Sequence, residues 1–308
     1  MRLCTAMIRK AVTKPIWYWE KYRTYPIREV VYDFPPMRCE PGSRHNLVVL
    51  ATPDAINNAA WTAYSLLVQL QPAPLGLILV VDGELQAADV ERLQHLFVGI
   101  RIERVSRMVA QLGCDAIKAL YQIHPMAGKL AVILRLQQET PILFSDDDVL
   151  AFGRLREIEQ FINEPTAPNR YLVELGGESG VEPNVLRVVQ QMQLPVAAAI
   201  NVGFLAIQQH SLNIELAGKI LANTPTMDTW FPDTTVLACL MAQAGGVGLP
   251  VDTYRVSVER QFFFQSDCDY DAIALRHFVS PVRHLMYMRG MPRLRREYQA
   301  NGETLGFA

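Results

Sequence analysis

The stretch Pro141-Ile142-Leu143-Phe144-Ser145-Asp146-Asp147-Asp148-Val149-Leu150 joins an apolar run directly to three consecutive aspartates. Its first four residues predict a strand buried on both faces, so the aspartates follow a strand end. Two carboxylates one residue apart, those of Asp146 and Asp148, can converge on one divalent cation, because Mg²⁺ and Mn²⁺ prefer oxygen ligands. The alternative is an Asp-rich turn, in which the side chains bond nearby backbone amides.

Strand and helix patterns alternate on both sides of this stretch. Strands are predicted at residues 47–51, 75–81, 102–105, 141–144, 171–174, 196–200, 204–207, 254–258 and 262–264. Helices are predicted at residues 53–67, 89–97, 115–121, 126–136, 154–162, 212–221 and 233–244. Such alternation implies parallel strands with right-handed crossovers, and ligands bind beyond the carboxyl ends of such strands. The sequence therefore predicts an α/β fold, with a Rossmann-like sheet flanked by helices in a single main domain.

The composition restricts the class of protein. Of the 308 residues, 50% are hydrophobic and 19% are charged, which favours a globular chain with a substantial core. A formal net charge of -2 argues against bulk binding of nucleic acid, which needs a basic face. The five cysteines are dispersed, and we find neither a signal-peptide core nor an apolar run that could span a membrane. We therefore expect a soluble cytoplasmic protein with reduced thiols.

The two ends of the chain differ from its middle. Residues 1–45 interleave aromatic and basic residues and form an N-terminal extension, residues 46–290 form the main domain, and residues 291–308 form a basic tail. The aromatic side chains of the extension either pack on the main domain or contact a membrane surface or an anionic acceptor. The tail is either a solvated end helix or a contact for anionic lipid or an acceptor glycan.

The acidic stretch resembles the Asp-x-Asp segment of GT-A glycosyltransferases, in which an apolar strand, Asp-x-Asp and further apolar residues follow one another. Asn201-Val202-Gly203-Phe204 is similar to the Asn-x-Gly segment that contributes to the sugar and acceptor pocket of these enzymes. Residues 230–235 resemble the acidic segment that begins a later helix. Lys129 resembles the basic residue that such enzymes place near the donor. The resemblance covers residues 47–284 as an ordered set of short matches, and it implies a GT-A fold with a mixed sheet.

Residues 276–284 resemble the C-terminal histidine motif of glycogenin-like enzymes, a pattern related to glycosyltransferase family 8. In that motif a histidine is the third metal ligand and a downstream lysine contacts the diphosphate. Two departures separate this chain from that subgroup. Thr234 stands where glycogenin-like proteins usually have Gln, and Arg283-His284 replaces their Lys-Pro pair. These departures weaken any inference that the anomeric configuration is retained.

The resemblance and the strand ends together imply a set of site residues. The metal ligands are Asp146, Asp148 and His277, with His284 as the substitute for His277. Candidates for contacts with the donor are Thr52, Asp82, Lys129, Asn201, Gly203 and Arg283, and candidates for the catalytic group are Asp233 and Glu178.

Each supporting residue also has an ordinary structural interpretation. Lys129 and Arg283 could be solvated surface cations, and Asn201 with Gly203 could form a turn. Asp233 could cap its helix. His277 could be a buried histidine that is satisfied by a backbone carbonyl.

The function implied is transfer of a sugar from a nucleoside-diphosphate sugar to an acceptor hydroxyl, assisted by Mn²⁺ or Mg²⁺. A UDP-sugar is the leading donor, and the acceptor is a glycan, a protein or a small molecule. The oligomeric state is left open. One alternative is a degenerate, non-catalytic GT-A domain that binds nucleotide sugar or serves in assembly. A less favoured alternative is a nucleotidyltransferase or a phosphohydrolase. However, the sequence lacks the early Gly-rich loop of nucleotidyltransferases, and the Asp-x-Asp of phosphohydrolases lies nearer the start of the domain.

Overall fold

The computed structural model describes residues 25–124, 126–174, 180–229, 231–256, 268–279 and 282–302. Its strands are β1 (Met37–Arg38), β2 (His45–Ala51), β3 (Leu75–Val81), β4 (Phe97–Val98), β5 (Arg101–Arg104), β6 (Ile142–Asp146), β7 (Val149–Ala151), β8 (Arg170–Val173), β9 (Ile200–Ile207), β10 (Val247–Gly248), β11 (Tyr254–Val256) and β12 (Leu275–His277).

The helices alternate with these strands. They are α1 (Tyr25–Glu29), α2 (Ile56–Leu70), α3 (Ala87–Leu96), α4 (Val105–Leu112), α5 (Asp115–Ile123), α6 (Ala127–Leu136), α7 (Arg156–Asn163), α8 (Pro183–Gln191), α9 (Ile214–Ala222), α10 (Pro232–Gln243), α11 (Arg283–Leu285) and α12 (Met291–Gly302). Short 3₁₀ turns at Val30–Asp33 and Pro53–Ala55 precede β1 and α2, and a π-helical turn, Met286–Gly290, joins α11 to α12.

The main sheet has seven strands in the order β10-β8-β9-β6-β2-β3-β5. Its apolar runs, such as the fully buried Leu75–Val81, form parallel pairs in the centre. β9 alone among these strands runs antiparallel to its neighbours, β6 and β8. This confirms the predicted α/β fold with a mixed sheet, in which the parallel pairing that the alternation implies holds in the centre and β9 is the exception. Because β9 is reversed, its amino end lies at the edge where β6 and β2 have their carboxyl ends.

Alternating side chains of the central strands build a core on each face of the sheet. Leu77 and Leu79 of β3 pack with α2, α3, the terminal helices and the smaller sheet. Ile78 and Val80 pack on the other face with α4, α5, α6, α9 and α10. This division follows from the two-residue period of a strand.

A second sheet of three strands, in the order β11-β12-β7, lies against the first core. β7 follows β6 after only two residues, Asp147 and Asp148, so the chain passes here from the large sheet into the small one. β7 and β12 have three residues each, too few to show a period in the sequence. The predicted strand at residues 262–264 lies outside the described residues.

The prediction of two strands around Asn201-Val202-Gly203 is wrong. β9 runs unbroken through these residues from Ile200, and residues 196–199 are not a strand. Ala197 donates its backbone N–H to Ala238 of α10 rather than to a neighbouring strand. Ala199 then adopts a φ of 52°, a left-handed conformation that turns the chain into β9.

Aromatic residues at the described part of the N-terminal extension pack on α2. The ring of Phe34 meets that of Trp61 edge to face at 5.2 Å and that of Tyr298 at 5.4 Å. The indole N–H of Trp61 donates to the carbonyl oxygens of Ile27 and Arg28. The extension and α12 therefore share the first core, while the division into three regions stays a prediction. Within the described ranges, no helix combines the length and apolar character that crossing a bilayer requires.

Candidate active site

The acidic triplet occupies the crossing from the seven-stranded sheet to the three-stranded sheet. Asp146 ends β6, and its side chain shares the face of Phe144, because the two residues are one strand period apart. That face is covered by α6, which carries Lys129. Asp147 and Asp148 form the turn, and Val149 begins β7.

Lys129 is buried rather than solvated. Its Nζ lies 2.7 Å from Oδ2 of Asp146, and the residue is 6% exposed. Burial alone would lower the pKa of Lys129, but the charges of Asp146 and Asp233 raise it above its usual value. The ammonium is therefore a fixed positive charge beside the triplet, and the alternative interpretation of Lys129 as a solvated surface cation is wrong.

His277 reaches the triplet through the small sheet. β12 pairs antiparallel with β7, with His277 opposite Val149, and the N–H of Phe278 donates to the carbonyl of Asp148 at 2.8 Å. Nε2 of His277 then lies 3.0 Å from Oδ1 of Asp148 and 4.0 Å from Oδ2 of Asp146. One ligand atom from each of these three residues lies within 4.8 Å of the others. The structure thus brings together the predicted metal ligands, and His277 rather than His284 joins them.

Asp148 is buried, and its two carboxylate oxygens face Arg283 and His277. Nε of Arg283 donates to its Oδ2 at 3.1 Å, and Nη2 of Arg283 contacts the same oxygen. Oδ1 faces His277 without forming a well-aligned hydrogen bond to any described residue. Burial would raise the pKa of Asp148, but His277 and Arg283 hold it below its ordinary value. Conversely, burial would lower the pKa of His277, which Asp148 raises.

Asp147, the middle residue of the triplet, differs from its neighbours. Burial, and then the charge of Asp148, raise its pKa to about 7. Its Oδ2 lies 3.5 Å from Nδ2 of Asn58, which also donates to the hydroxyl oxygen of Tyr287 at 3.0 Å. This carboxyl group therefore faces α2 and the C-terminal π-helical turn.

Asp233, on α10, lies close to Lys129 and Asp146 but does not cap its helix. Phe231 is the N-cap and Pro232 occupies the first helical position, so Asp233 falls at the second. Its residue exposure is 1%, and neither carboxylate oxygen has a hydrogen-bond partner among the described residues. Burial raises its pKa to about 6, against the opposing effect of Lys129. Glu178, the other catalytic candidate, lies outside the described residues.

A cleft of about 400 Å³ opens beside the triplet at the carboxyl edge of the main sheet. The predicted donor contacts Thr52, Asp82, Lys129 and Arg283 all line it, together with the three aspartates. Thr52 and Asp82 follow the adjacent strands β2 and β3. The hydroxyl of Tyr121 donates to Oδ1 of Asp82 at 2.9 Å, and burial followed by this bond raises the pKa of Tyr121 to about 12.

Asn201 and Gly203 lie beside His277 and belong to β9, so their interpretation as a turn is wrong. Oδ1 of Asn201 is 2.8 Å from Nδ1 of His277, and Nδ2 of Asn201 donates to Oε2 of Glu174 at 3.0 Å. A Cβ on Gly203 would come within 2.2 Å of the imidazole. The glycine therefore lets the ring lie directly on the backbone of β9.

Four contributors to this site carry no signal that we recognised in the sequence. Asn58, Tyr121 and Tyr287 come from separate elements and Glu174 follows β8, and none of the four belongs to the matched segments. They are identified by their contacts alone. Which polar residues meet at such distances along the chain depends on the order of the strands in the sheet, and local sequence does not specify that order.

No protein-family model matches the sequence, and no curated protein matches it. Solved structures do resemble it. Mouse xyloside xylosyltransferase 1 superposes with a TM-score of 0.50 at 13% identity, covering 80% of this chain and 99% of that one. The galactosyltransferase LgtC, in complex with donor and acceptor sugar analogues, gives 0.51 at 12% identity and covers 85% and 97%.

The bifunctional glycosyltransferase WbbM gives a TM-score of 0.55 at 9% identity and covers 86% of this chain and 53% of that one. At such identities the likeness concerns the fold. The mixed sheet, the flanking helices and the superpositions agree with one another, and this chain has the GT-A fold of these glycosyltransferases.

Proposed function

We propose that the protein is a metal-dependent glycosyltransferase, which moves a sugar from a nucleoside-diphosphate sugar to an acceptor hydroxyl. The observation that carries the proposal is the convergence of Asp146, Asp148 and His277 beside the cleft at the carboxyl edge of a GT-A sheet. The galactosyltransferase LgtC, which shares the fold, was solved with donor and acceptor sugar analogues. Membership of the glycogenin-like subgroup stays a prediction.

The residues fit a divalent cation in two respects. Oδ1 of Asp148 is a buried carboxylate oxygen that lacks a well-formed hydrogen bond among the described residues, and it faces Nε2 of His277. In addition, the triplet and Asp233 bring four carboxyl groups together beside Lys129 and Arg283. A divalent cation would offset negative charge that these two side chains leave uncompensated. Carboxylate oxygens and an imidazole suit Mn²⁺ or Mg²⁺.

A bound cation of this kind would supply Lewis-acid stabilisation of the diphosphate leaving group. The chain itself supplies the surrounding charges and contacts. Lys129 and Arg283 fix positive charge on the wall of the cleft that the diphosphate would occupy. Arg283 also holds one oxygen of Asp148, which leaves the other directed at His277. Asp82 offers an acceptor for the N–H or O–H groups of a nucleoside.

The acceptor side of the site is less completely described. Asp233 is the candidate that acts on the sugar or on the acceptor hydroxyl, because its oxygens are unbonded among the described residues and Lys129 lies nearby. Glu178 remains the second candidate. We propose a UDP-sugar as the donor and a glycan, protein or small molecule as the acceptor, with a cytoplasmic location and a peripheral membrane contact as further expectations.

Calorimetric titration with a panel of nucleoside diphosphates tests the proposal, with Mn²⁺ and after chelation. The variants are Asp148→Ala and Asp148→Asn, and the matched control is Asp252→Ala, which removes an exposed carboxylate from the turn before β11. We expect one nucleotide to bind in a metal-dependent manner to the wild type and the control but not to the Asp148 variants.

Equal binding with and without metal, or none to any nucleotide, would contradict the metal site. Metal-dependent binding of a nucleotide sugar without turnover, assayed against hydroxyl acceptors, would instead favour the degenerate binding domain. Release of inorganic phosphate or pyrophosphate in place of sugar transfer would favour the phosphohydrolase or the nucleotidyltransferase.

A further inference from the structure

The orientation of the Asn201 side chain is determined by two independent neighbours. Its Nδ2 donates to Oε2 of Glu174 at 3.0 Å, and its Oδ1 accepts the backbone N–H of Gly203 at 2.9 Å. An ionised carboxylate can only accept a hydrogen bond, and a backbone N–H can only donate one. Both contacts therefore require the same orientation of the amide, with its oxygen towards His277.

This orientation places an acceptor, the Oδ1 atom of Asn201, beside Nδ1 of His277. The two atoms lie 2.8 Å apart, and a hydrogen bond between them needs the proton on Nδ1. Nε2 faces Oδ1 of Asp148 at 3.0 Å, and this carboxylate oxygen is also an acceptor that competes for the single proton of a neutral ring. A cation that takes the lone pair of Nε2 leaves that proton on Nδ1, where Oδ1 of Asn201 accepts it. Metal-bound histidines are commonly oriented by such a hydrogen bond on the other nitrogen.

The strand register brings the three residues together. In the pairing of β8 with β9, Leu172 lies opposite Asn201, and Glu174 follows two residues later. The N–H of Glu174 donates to the carbonyl of Ala199 at 2.8 Å, which fixes the end of β8 against the start of β9. Residues at diagonal positions of neighbouring strands are within reach of long side chains. Gly203, one strand period beyond Asn201, leaves the space that the imidazole occupies.

We propose that Glu174 and Asn201 are positioning residues, which hold His277 as the Nδ1–H tautomer and present Nε2 to a divalent cation between Asp146 and Asp148. The orientation of the Asn201 amide and its contact with Nδ1 follow from the described hydrogen bonds alone, whereas the cation rests on the proposed function. Asn201 is thereby assigned to the histidine rather than to the donor sugar, and Glu174 gains a role that its sequence neighbours do not indicate.

Nitrogen NMR of protein labelled with ¹⁵N-histidine tests the tautomer without metal. The His277 signal is assigned by its loss in His277→Asn, and spectra are recorded above the pH at which the ring titrates. We expect Nδ1 to carry more of the proton in the wild type than in Asn201→Ala, because the variant lacks the acceptor at Nδ1 and keeps Oδ1 of Asp148 beside Nε2. Equal protonation of Nδ1 in the two proteins would overturn the proposal.

Titration of Mn²⁺, followed by its electron paramagnetic resonance, tests the consequence for the metal. We expect Asn201→Ala to weaken Mn²⁺ binding roughly 10- to 100-fold, the usual effect of removing such a partner. Glu174→Ala should have a smaller effect, since Gly203 still orients the amide. Glu174→Gln should bind almost as the wild type does, because its carbonyl oxygen can still accept from Asn201. The exposed Glu91 of α3 gives the matched control, Glu91→Ala.

The two experiments separate the two proposals. Unchanged Mn²⁺ affinity in Asn201→Ala, with the folded state verified by circular dichroism, would refute the positioning role. If the wild type bound no Mn²⁺ while its tautomer still depended on Asn201, the orientation by Glu174 and Asn201 would stand and the proposed metal-dependent function would fall.

Discussion

Asp148 and Asp233 are two carboxylates in one site with opposite surroundings. Both are buried, with residue exposures of 2% and 1%. Asp148 lies between Arg283 and His277, and its pKa is held below the usual range. Asp233 has no hydrogen-bond partner among the described residues, and burial raises its pKa to about 6. The difference teaches that the partners of a buried carboxylate, rather than its depth, decide whether it keeps its charge.

The largest effect is expected from removing the paired carboxylate. Asp148→Ala leaves the guanidinium of Arg283 without its counterion and removes the carboxylate that raises the pKa of His277. Breaking such a buried pair costs about 4 kcal/mol of the free energy of unfolding. Urea denaturation in the presence of a chelator measures the loss. A loss below about 1 kcal/mol would show that Asp148 is no better compensated than Asp233.

The second-largest loss of stability is expected from removing Lys129, the cation between Asp146 and Asp233. Lys129→Met leaves Asp146 without its ion pair and takes away the charge that opposes the raised pKa of Asp233. Because Asp146 is partly exposed, we expect a loss of about 3 kcal/mol at pH 8. The loss should be smaller at pH 5, where Asp233 is protonated. Denaturation at both pH values tests this, and Lys219→Met, on α9, is the control.

Removing the charge of Asp233 should change the free energy of unfolding in the opposite direction and stabilise the protein. A carboxyl group whose pKa is raised on folding binds more protons in the folded state, so its contribution to stability falls as pH rises from about 4 to 6. Asp233→Asn removes that penalty. In chelator, the variant should exceed the wild type by about 2 kcal/mol at pH 8, and the difference should shrink at pH 4.5. A difference that is the same at both pH values would contradict the raised pKa.

The smallest loss of stability is expected from Arg283→Lys, which keeps the charges of the ion pair with Asp148 but changes its geometry. Arg283 contacts one oxygen of Asp148 through Nε and Nη2, a geometry that lysine cannot reproduce. Since the arginine is partly exposed, Arg283→Lys should cost about 1 kcal/mol. The same urea experiment measures it. A cost equal to that of Asp148→Ala would assign the whole compensation to the guanidinium and none to His277.

The sequence predicts the parts of the fold that long local patterns specify. Leu75–Val81 is the strand that its unbroken apolar run indicates. Asp146 and Asp148 lie at the sheet edge because the run before them is a strand. The histidine of the C-terminal segment was identified by resemblance, and the structure places His277 beside both aspartates.

The rest depends on contacts between distant residues. Local sequence indicates neither the burial of Lys129, which follows from the packing of α6 on β6, nor the reversal of β9. The left-handed Ala199 precedes the start of β9, and Pro232 begins α10 one residue earlier than predicted, so Asp233 is not the cap. Glu174 has no local feature that separates it from an ordinary surface glutamate.

The short crossing from β6 to β7 makes the spacing of the aspartates intolerant of insertion. Only Asp147 and Asp148 separate the two strands, and Val149 is already paired with His277. One extra residue here would rotate Asp148 to the other side of the chain or shift β7 against β12 by one position. Homologous chains that keep this chemistry should therefore tolerate insertions in the other loops at this edge of the sheet, but not between β6 and β7. The two-residue spacing is for this reason a stricter criterion for recognising such chains than overall sequence identity.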